Sequence, residues 1–504
     1  MFLDSPTFTY GIILLATALY FLNWLKEHKA SEYPLISNVP ALGPTAPLLS
    51  YWGAFRFMIS CQEMLAEGHA KFGGSPFRIA TRRYWHYIVS DPKLLDELRR
   101  APDDEMSFAV AVSEALEFEY ALGVAALKDT YHVPIIKTTL TRNLSYLYGA
   151  IYDEICNAFA DCIPAKDEWI AMPAMDTVMQ VVARTSARIF VGLPLCRNQE
   201  FLDISVNYTT DVVKTGLILN IVPVFLKPTA NRLINRVDRT IDRTYALLSS
   251  TMEERRAMME QCGDEWTDKP NDLLQWLMEA AEGVEREPRA LAARLLMVCF
   301  AAIHTTSMSF THALYHLAAH PEYMKPLRED VEAIVAEHGW SKDSLQKMRK
   351  VDSFLKECQR FQGIGIVFLE RKVLKDYTFS DGTFIPKGSC VSTSKMATHD
   401  QREYYDDPCV FKPWRFSDMP DETGEGTKYQ LANTSMKFLP FGVGKHACPG
   451  RYFAANELKT MMAHLVMTYD VRMEKPGEIP RVLRFGTTTS PNRTAKVLFR
   501  KRKD

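Results

Sequence analysis

The sequence has little that would commit it to nucleic acid, to a disulfide framework or to a zinc module. Its 60 Lys and Arg stand against 61 Asp and Glu, a formal net charge of -1. Neutralising a phosphate backbone needs a clear basic excess, so a nucleic-acid partner is excluded, and the closing "FRKRKD" reads as a short solvated tail. Ten cysteines are scattered with no CxxC pair and no regular spacing. In a chain of 504 residues that fits a reducing compartment, with most thiols serving as small buried hydrophobes. There is no low-complexity segment and no internal repeat. The βαβ alternation of a doubly wound sheet is missing too, and the chain is too helical for a barrel.

Charge is also absent from one stretch near the start. Residues 8–25, "FTYGIILLATALYFLNWL", carry none and are about long enough to cross a bilayer core of roughly 30 Å as a helix. Tyr10, Tyr20 and Trp24 fall where interfacial aromatics belong. Only Asp4 precedes the run and no small-x-small cleavage site follows, which argues against a cleaved signal peptide. Lys26 and Lys29 follow at once, so the rest of the chain is expected to face the cytosol. The sequons at Asn143, Asn207, Asn433 and Asn492 would then stay unmodified. Residues 1–32 thus read as a membrane anchor, 33–50 as a proline-rich linker, and 51–504 as one large domain.

That domain is expected to be mainly α with minor β. Helical periodicity runs near 56–72, 128–162, 170–192, 230–260, 287–319, 322–337, 344–361 and 451–469. Strand-like pieces gather at 76–91 and again after residue 364.

Two segments hold chemistry. "FAAIHTTSMSF", residues 300–310, puts a histidine, two threonines and two serines into a long apolar run. Alone it is undecided, because such hydroxyls often only bond back to the preceding helical turn. "FGVGKHACPGR", residues 441–451, surrounds Cys448 with three glycines just before a helical run. Glycines allow the backbone to approach one atom closely, and amides at a helix start favour a thiolate. This suits a metal-bound sulfur. A structural zinc lacks further ligands nearby, and a nucleophilic cysteine lacks a signalled base.

The loop "FGVGKHACPGR" resembles the haem-binding signature of the cytochrome P-450 superfamily: Phe, two residues, Gly, one residue, Arg or His, one residue, Cys, one residue, Gly. Glu357 and Arg360 in "KECQR" match the family's Glu-x-x-Arg pair, and Arg415 in "FKPWRF" matches the arginine that closes on it. The resemblance extends from the anchor to residue 504 and is nearest to fungal microsomal members of secondary metabolism. It implies the P-450 fold, a large helical domain with a smaller β-rich region.

It also implies haem b with Cys448 as the axial thiolate, which pushes electron density into the iron and favours O–O cleavage. Phe441, Gly442 and Gly450 would shape the cradle, and His446 and Arg371 would meet the haem propionates. His132 and Lys137 take the places of a family Trp-x-x-x-Arg pair, at an offset one residue too long. The long run 287–319 would cross the distal face, with Ala301 and Ala302 leaving room for O2 and substrate. Thr305, followed by Thr306, would deliver a proton. His304 stands where the family carries an acid, either relaying protons or holding the helix. Phe108–Val112, Phe300–Ala302, Ile364 and Ile366 in "FQGIGIV", and Phe485–Thr488 with Thr487 would line an apolar substrate pocket.

The resemblance therefore implies a monomeric monooxygenase of the endoplasmic reticulum membrane. It would act on a hydrophobic small molecule, such as a terpenoid, with NADPH electrons from a separate cytochrome reductase. Lys128, Lys137, Lys437 and Lys445 are candidates for docking that reductase. The rival expectations are an O2-independent isomerase or dehydratase, or a non-catalytic haem- or lipid-binding protein. Thr305 and Thr306 weigh against both.

Overall fold

A computed structural model describes residues 37–122, 129–420 and 428–503. The apolar run at 8–25 lies outside them. One described helix is long and apolar enough to cross a membrane, Pro288–Ala319, but it is a largely buried core helix. A single N-terminal membrane helix therefore stays an expectation.

By its internal contacts the chain divides into two compact units. The smaller comprises residues 1–127, 212–235 and 369–397. Its described part is built around a sheet of order β1-β2-β3-β9-β6-β4: β1 (Ala41–Leu42), β2 (Phe77–Ala80), β3 (Trp85–Ile88), β4 (Met106–Ser107), β6 (Val367–Val373) and β9 (Cys390–Ser394). The strand-like stretch expected at 76–91 forms β2 and β3, paired antiparallel, and β9 joins β3 in parallel with Cys390 beside His86. Helix α1 (Pro47–Phe72) packs on β2. Proline at its first position suits a helix start, where the missing N–H has no intrahelical partner. The linker expected to reach residue 50 therefore gives way earlier, since β1 already pairs with β2 at Ala41.

The larger unit, residues 128–211, 236–368 and 398–504, holds the main helical core. Here α2 (Thr141–Cys162), α3 (Ala174–Phe190), α4 (Val237–Cys262), α5 (Pro288–Ala319), α6 (Met324–His338), α7 (Arg349–Gln362) and α8 (Arg451–Thr468) fall on the predicted runs, although α2 begins thirteen residues and α4 seven residues later than expected. The run at 170–192 opens instead as a strand, β5 (Ile170–Pro173), because it pairs with β13 (Lys496–Lys501). Several helices escaped the periodicity, among them Pro92–Arg100, Phe108–Leu116, Leu273–Ala280 and the longest, Gln199–Ile221, which begins in the larger unit and ends in the smaller. Its "DISVNYTT" stretch is rich in β-branched and polar residues that favour helix weakly, so packing rather than propensity decides it.

Helix α5 is the axis of the larger unit. It packs on α3, α4 and α7, and along it Leu291, Leu295, Ile303, Phe310 and Leu314 are buried. Its Ser and Thr side chains bond back one turn: Ser307 Oγ to the Ile303 carbonyl at 2.7 Å and Thr311 Oγ1 to the Ser307 carbonyl at 2.7 Å. Back-bonding lets hydroxyls sit in an apolar helix without leaving polar atoms unsatisfied.

Candidate active site

The loop before α8 is shaped by its glycines. Gly442 has φ +67°, and a Cβ there would meet the His446 carbonyl oxygen at 3.2 Å. Gly444 also has positive φ, at +73°. These turns bring the Cys448 amide onto the Phe441 carbonyl at 2.7 Å. Gly450 has ordinary backbone geometry, and a Cβ there would meet Ile136 at an ordinary contact distance of 3.7 Å. His446 ends the short 3-10 turn Gly444–His446, and Lys445 is exposed beside it.

Cys448 lines a cleft with Phe441, Pro440, Ala454 and Leu458 on its side of the fold and Ala301, Thr305, Thr306 and Ser309 of α5. Gln359, Gly363 and Ile364, from the end of α7, complete it. It encloses about 640 Å³ of space between side chains, part of it open to solvent. Burial pushes the Cys448 thiol above its ordinary value, opposed by the amides of Gly450 and Arg451 and by the Arg451 charge. The helix start does aim donors at the sulfur, as the sequence suggested, yet desolvation outweighs them. A thiolate here needs a stronger positive partner.

Among the described residues Cys448 is the one Cys, His or carboxylate side chain lining this cleft, and a bare cation requires several such protein ligands. It fits a metal whose other positions are already filled by a macrocycle, as in haem.

Thr305 is exposed in this cleft, and its Oγ1 donates to the Ala301 carbonyl at 2.8 Å, with Ala302 at 3.3 Å. His304 is turned elsewhere: its Nε2 is 2.9 Å from the Val206 carbonyl, and it does not line the cleft. Burial is the main cause of its lowered pKa. Ala302 packs against the core instead of the cleft, and Phe300 is half-buried and likewise outside the lining.

The structural triad is tightly built. Arg360 donates to both Glu357 oxygens at 2.7 Å, and Arg415 Nε lies 3.1 Å from each. Arg360 Nη1 also holds the His399 and Pro408 carbonyls. Glu357 and Arg360 are fully buried, so each charge depends on the others.

The five-residue offset of His132 and Lys137 falls on a π-helix, Ile135–Leu140. Its wider i→i+5 turn absorbs one extra residue, which makes this offset comparable to four residues of α-helix. His132 Nδ1 is 3.2 Å from Arg294 Nη1, and burial lowers its pKa to about 4. Lys137 is exposed, and neither lines the cleft.

The pocket expected from four segments divides. Ile364 reaches the cleft, whereas Ile366 is buried with its N–H on the Thr487 carbonyl at 2.9 Å. Phe485 is exposed on a hairpin of β11 (Leu483–Phe485) and β12 (Thr488–Ser490). Phe108 and Val112 belong to the smaller unit, where Phe108 lies 5.7 Å from the Arg371 guanidinium. Arg371 is buried, donates to the Glu370 carbonyl, and keeps Nε and Nη2 without partners. Burial lowers its pKa to about 10. Such a guanidinium retains capacity for an anionic group.

Sequence reasoning missed Gln359, Ser309, Pro440, Ala454 and Leu458. Ser309 was within reach, since 301, 305 and 309 recur every four residues along one helical face. Gln359 gave no signal, being an interior residue of the Glu-x-x-Arg motif.

A second set of metal-type side chains occurs in the smaller unit. His86, Glu370 and Cys390 bring their ligand atoms within 4.8 Å of one another. Hydrogen bonds account for them: His86 Nε2 lies 2.8 Å from Ser392 Oγ, and the Cys390 thiol lies 3.6 Å from a Glu370 oxygen. Cys390 is buried on a strand and does not line the Cys448 cleft.

Residues 41–499 match the family model for cytochrome P450. The chain is 43% identical over 496 residues to cytochrome P450 monooxygenase 151 of Postia placenta, covering 98% of each. It is 32% identical to a cytochrome P450 monooxygenase of Ganoderma lucidum, covering 95% of this chain and 93% of that one. It is 30% identical to the ent-kaurene oxidase P450-4 of Gibberella fujikuroi, covering 96% and 95%. Among solved structures, a retinoic acid-bound cyanobacterial P450 shares the fold with a TM-score of 0.66 at 18% identity, covering 89% of this chain and 96% of that one. With the cysteine loop and the threonine turn on one cleft, and this similarity along nearly its whole length, the chain belongs to the cytochrome P450 family of haem-thiolate monooxygenases.

Proposed function

We propose that the chain inserts one oxygen atom from O2 into a C–H bond of a hydrophobic small molecule of the terpenoid or a related fungal secondary-metabolite class. NADPH electrons arrive through a separate reductase, and Cys448 is the sulfur that ligates the haem iron. The observation that carries this is that Cys448, Ala301 and Thr305 line one otherwise largely apolar cleft. The terpenoid class draws support from the relative named ent-kaurene oxidase.

Bound haem supplies the oxygen-activating chemistry, with an iron made electron-rich by the sulfur. The protein's part is positional. The Gly450 and Arg451 amides orient the Cys448 sulfur. Ala301, Ile364, Ala454 and Leu458 exclude water and accept an apolar ligand. Thr305 Oγ1 holds a proton at the cleft wall. His446 is assigned to the carboxylates of the haem. The exposed Lys137, Lys437 and Lys445 are assigned to the reductase; Lys128 lies outside the described residues.

The proposal includes an endoplasmic reticulum membrane address with a cytosolic catalytic part. The uncharged run at 8–25 supports it. So do the exposed Leu48, Leu49, Trp52 and Phe55 of the first helix and the exposed Ile221, Val224 and Phe225, all in the smaller unit.

The test is co-expression of the full chain with a reductase and a screen of terpenoids. Oxygenated products that require NADPH are expected. Products formed equally well without NADPH and reductase would overturn the reading in favour of an O2-independent isomerase.

A further inference from the structure

We propose that Lys356 is a positioning residue for the cysteine loop: from α7 its ammonium grips the chain at 430–438, which runs on into Pro440 and Phe441 of the cleft wall. This rests on the reading that Cys448 ligates the haem iron. Lys356 Nζ donates to the Gln430 carbonyl at 2.8 Å and to the Asn433 carbonyl at 3.2 Å. The same nitrogen lies 4.4 Å from the centre of the Phe438 ring and 5.2 Å from that of Phe416. Asp352, one turn earlier on that face of α7, accepts the Leu431 N–H at 2.7 Å.

Charge sets this cage apart from ordinary core. Lys356 is 3% exposed, and no carboxylate pairs with it among the described residues. The Asp352 carboxylate is engaged by Lys459 Nζ at 2.7 Å. Burial lowers the Lys356 pKa to about 8, with the Asp352 charge opposing. A buried ammonium without a counter-ion costs free energy, and an apolar side chain of similar length would fill the space without that cost. The ammonium alone supplies three N–H donors and no acceptor, matched here to carbonyls and to the negative faces of two rings. Such a set holds backbone, so it fixes the path of the chain. A group that lowers stability while fixing a path marks a functional position.

From that grip the chain reaches the sulfur in a few residues. The Leu439 N–H donates to His399 Nε2 at 3.1 Å, and Arg360 of α7 holds the His399 carbonyl at 2.8 Å. Phe441 follows, and its carbonyl accepts the Cys448 N–H at 2.7 Å. Releasing 430–438 therefore frees the Phe441 carbonyl to move, and with it the amide that sets the direction of Cys448.

The test uses the full chain loaded with haem, with carbon monoxide as probe. The reduced carbonyl complex of the wild type must show the absorption of thiolate ligation; its absence overturns the Cys448 reading and this inference with it. Given that absorption, Lys356→Met is expected to lose it about tenfold faster than the wild type, and Lys356→Gln, which keeps two N–H donors, to fall between them. Hydrogen exchange separates position from stability. In Lys356→Met the amides of 429–441 exchange about tenfold faster, while those of α3 and α5 keep the wild-type rate. An unchanged rate of loss overturns the inference, as does a glutamine variant no better than methionine, or faster exchange throughout the chain. Should the methionine variant not take up haem, exchange at 429–441 in Lys356→Gln decides, and the wild-type rate there overturns the inference.

Discussion

Cys390 and Cys448 are both withdrawn from bulk solvent, and their surroundings run opposite to intuition. Cys390 has the company of a metal site, with His86 and Glu370 at hand. Cys448 has apolar neighbours and no second ligand in its cleft. Cys390 is fixed on β9 by its register with β3, its thiol facing a carboxylate that raises its pKa further after burial has done so. Cys448 sits in a loop turned by Gly442 and Gly444, and lines the cleft with two amides and an arginine opposing the effect of burial. The proposal that Cys448 holds the haem rests on its place in the cleft and on the amides at its sulfur, whereas the ligand-like neighbours of Cys390 are already bonded to one another.

The sharpest way to break this contrast is to exchange the roles. Cys448→Ala is expected to abolish the thiolate spectrum of the reduced carbonyl complex and to lower product formation by roughly 10³-fold or more. Cys390→Ser should keep that spectrum and lower stability by about 1 kcal/mol, read by thermal unfolding. A lost thiolate spectrum in Cys390→Ser alone would reverse the assignment.

Next in size is the frame around the Cys448 loop. Glu357→Gln leaves Arg360 and Arg415 as buried charges without a counter-ion, a loss of about 3–5 kcal/mol. Haem loading per chain should fall with it.

A smaller, pH-dependent effect concerns α8, which begins just after the cysteine. Glu457 is fully buried, burial raises its pKa to about 8, and Oε2 has no partner. The folded state keeps a proton that the unfolded chain loses above its ordinary value of 4.5, so this group's contribution to stability falls as pH rises from there to about 8. Glu457→Gln should raise the midpoint of unfolding at pH 8 and have little effect at pH 4, with an upper bound of about 3 kcal/mol at pH 7. A gain of equal size at both pH values would contradict the assignment.

The smallest effect is expected at His304. Its replacement by alanine removes one bond to the Val206 carbonyl and should cost about 1 kcal/mol of unfolding stability.

Much of this was legible beforehand. Seven long helices of the larger unit followed from the spacing of apolar residues, and strand character was expected at 76–91. The helix Gln199–Ile221 did not, because β-branched residues weaken local preference and only tertiary packing supplies the difference. The cysteine loop, the Glu357–Arg360 pair and the Thr305 turn are contiguous motifs, so a linear reading could single them out. Gln359 and Leu458 enter the cleft from helices distant in sequence. No local pattern distinguishes them from core.

The sequence by itself determined the family, the cysteine loop and the helical order, because each is written in residues adjacent along the chain or one turn apart. Tertiary structure decided where each polar side chain points. It turned His304 toward Val206, gave Thr305 and Ser309 to the cleft, and brought Gln359 beside them. Direction depends on which helices pack face to face, and the order of residues along a single helix does not carry that information.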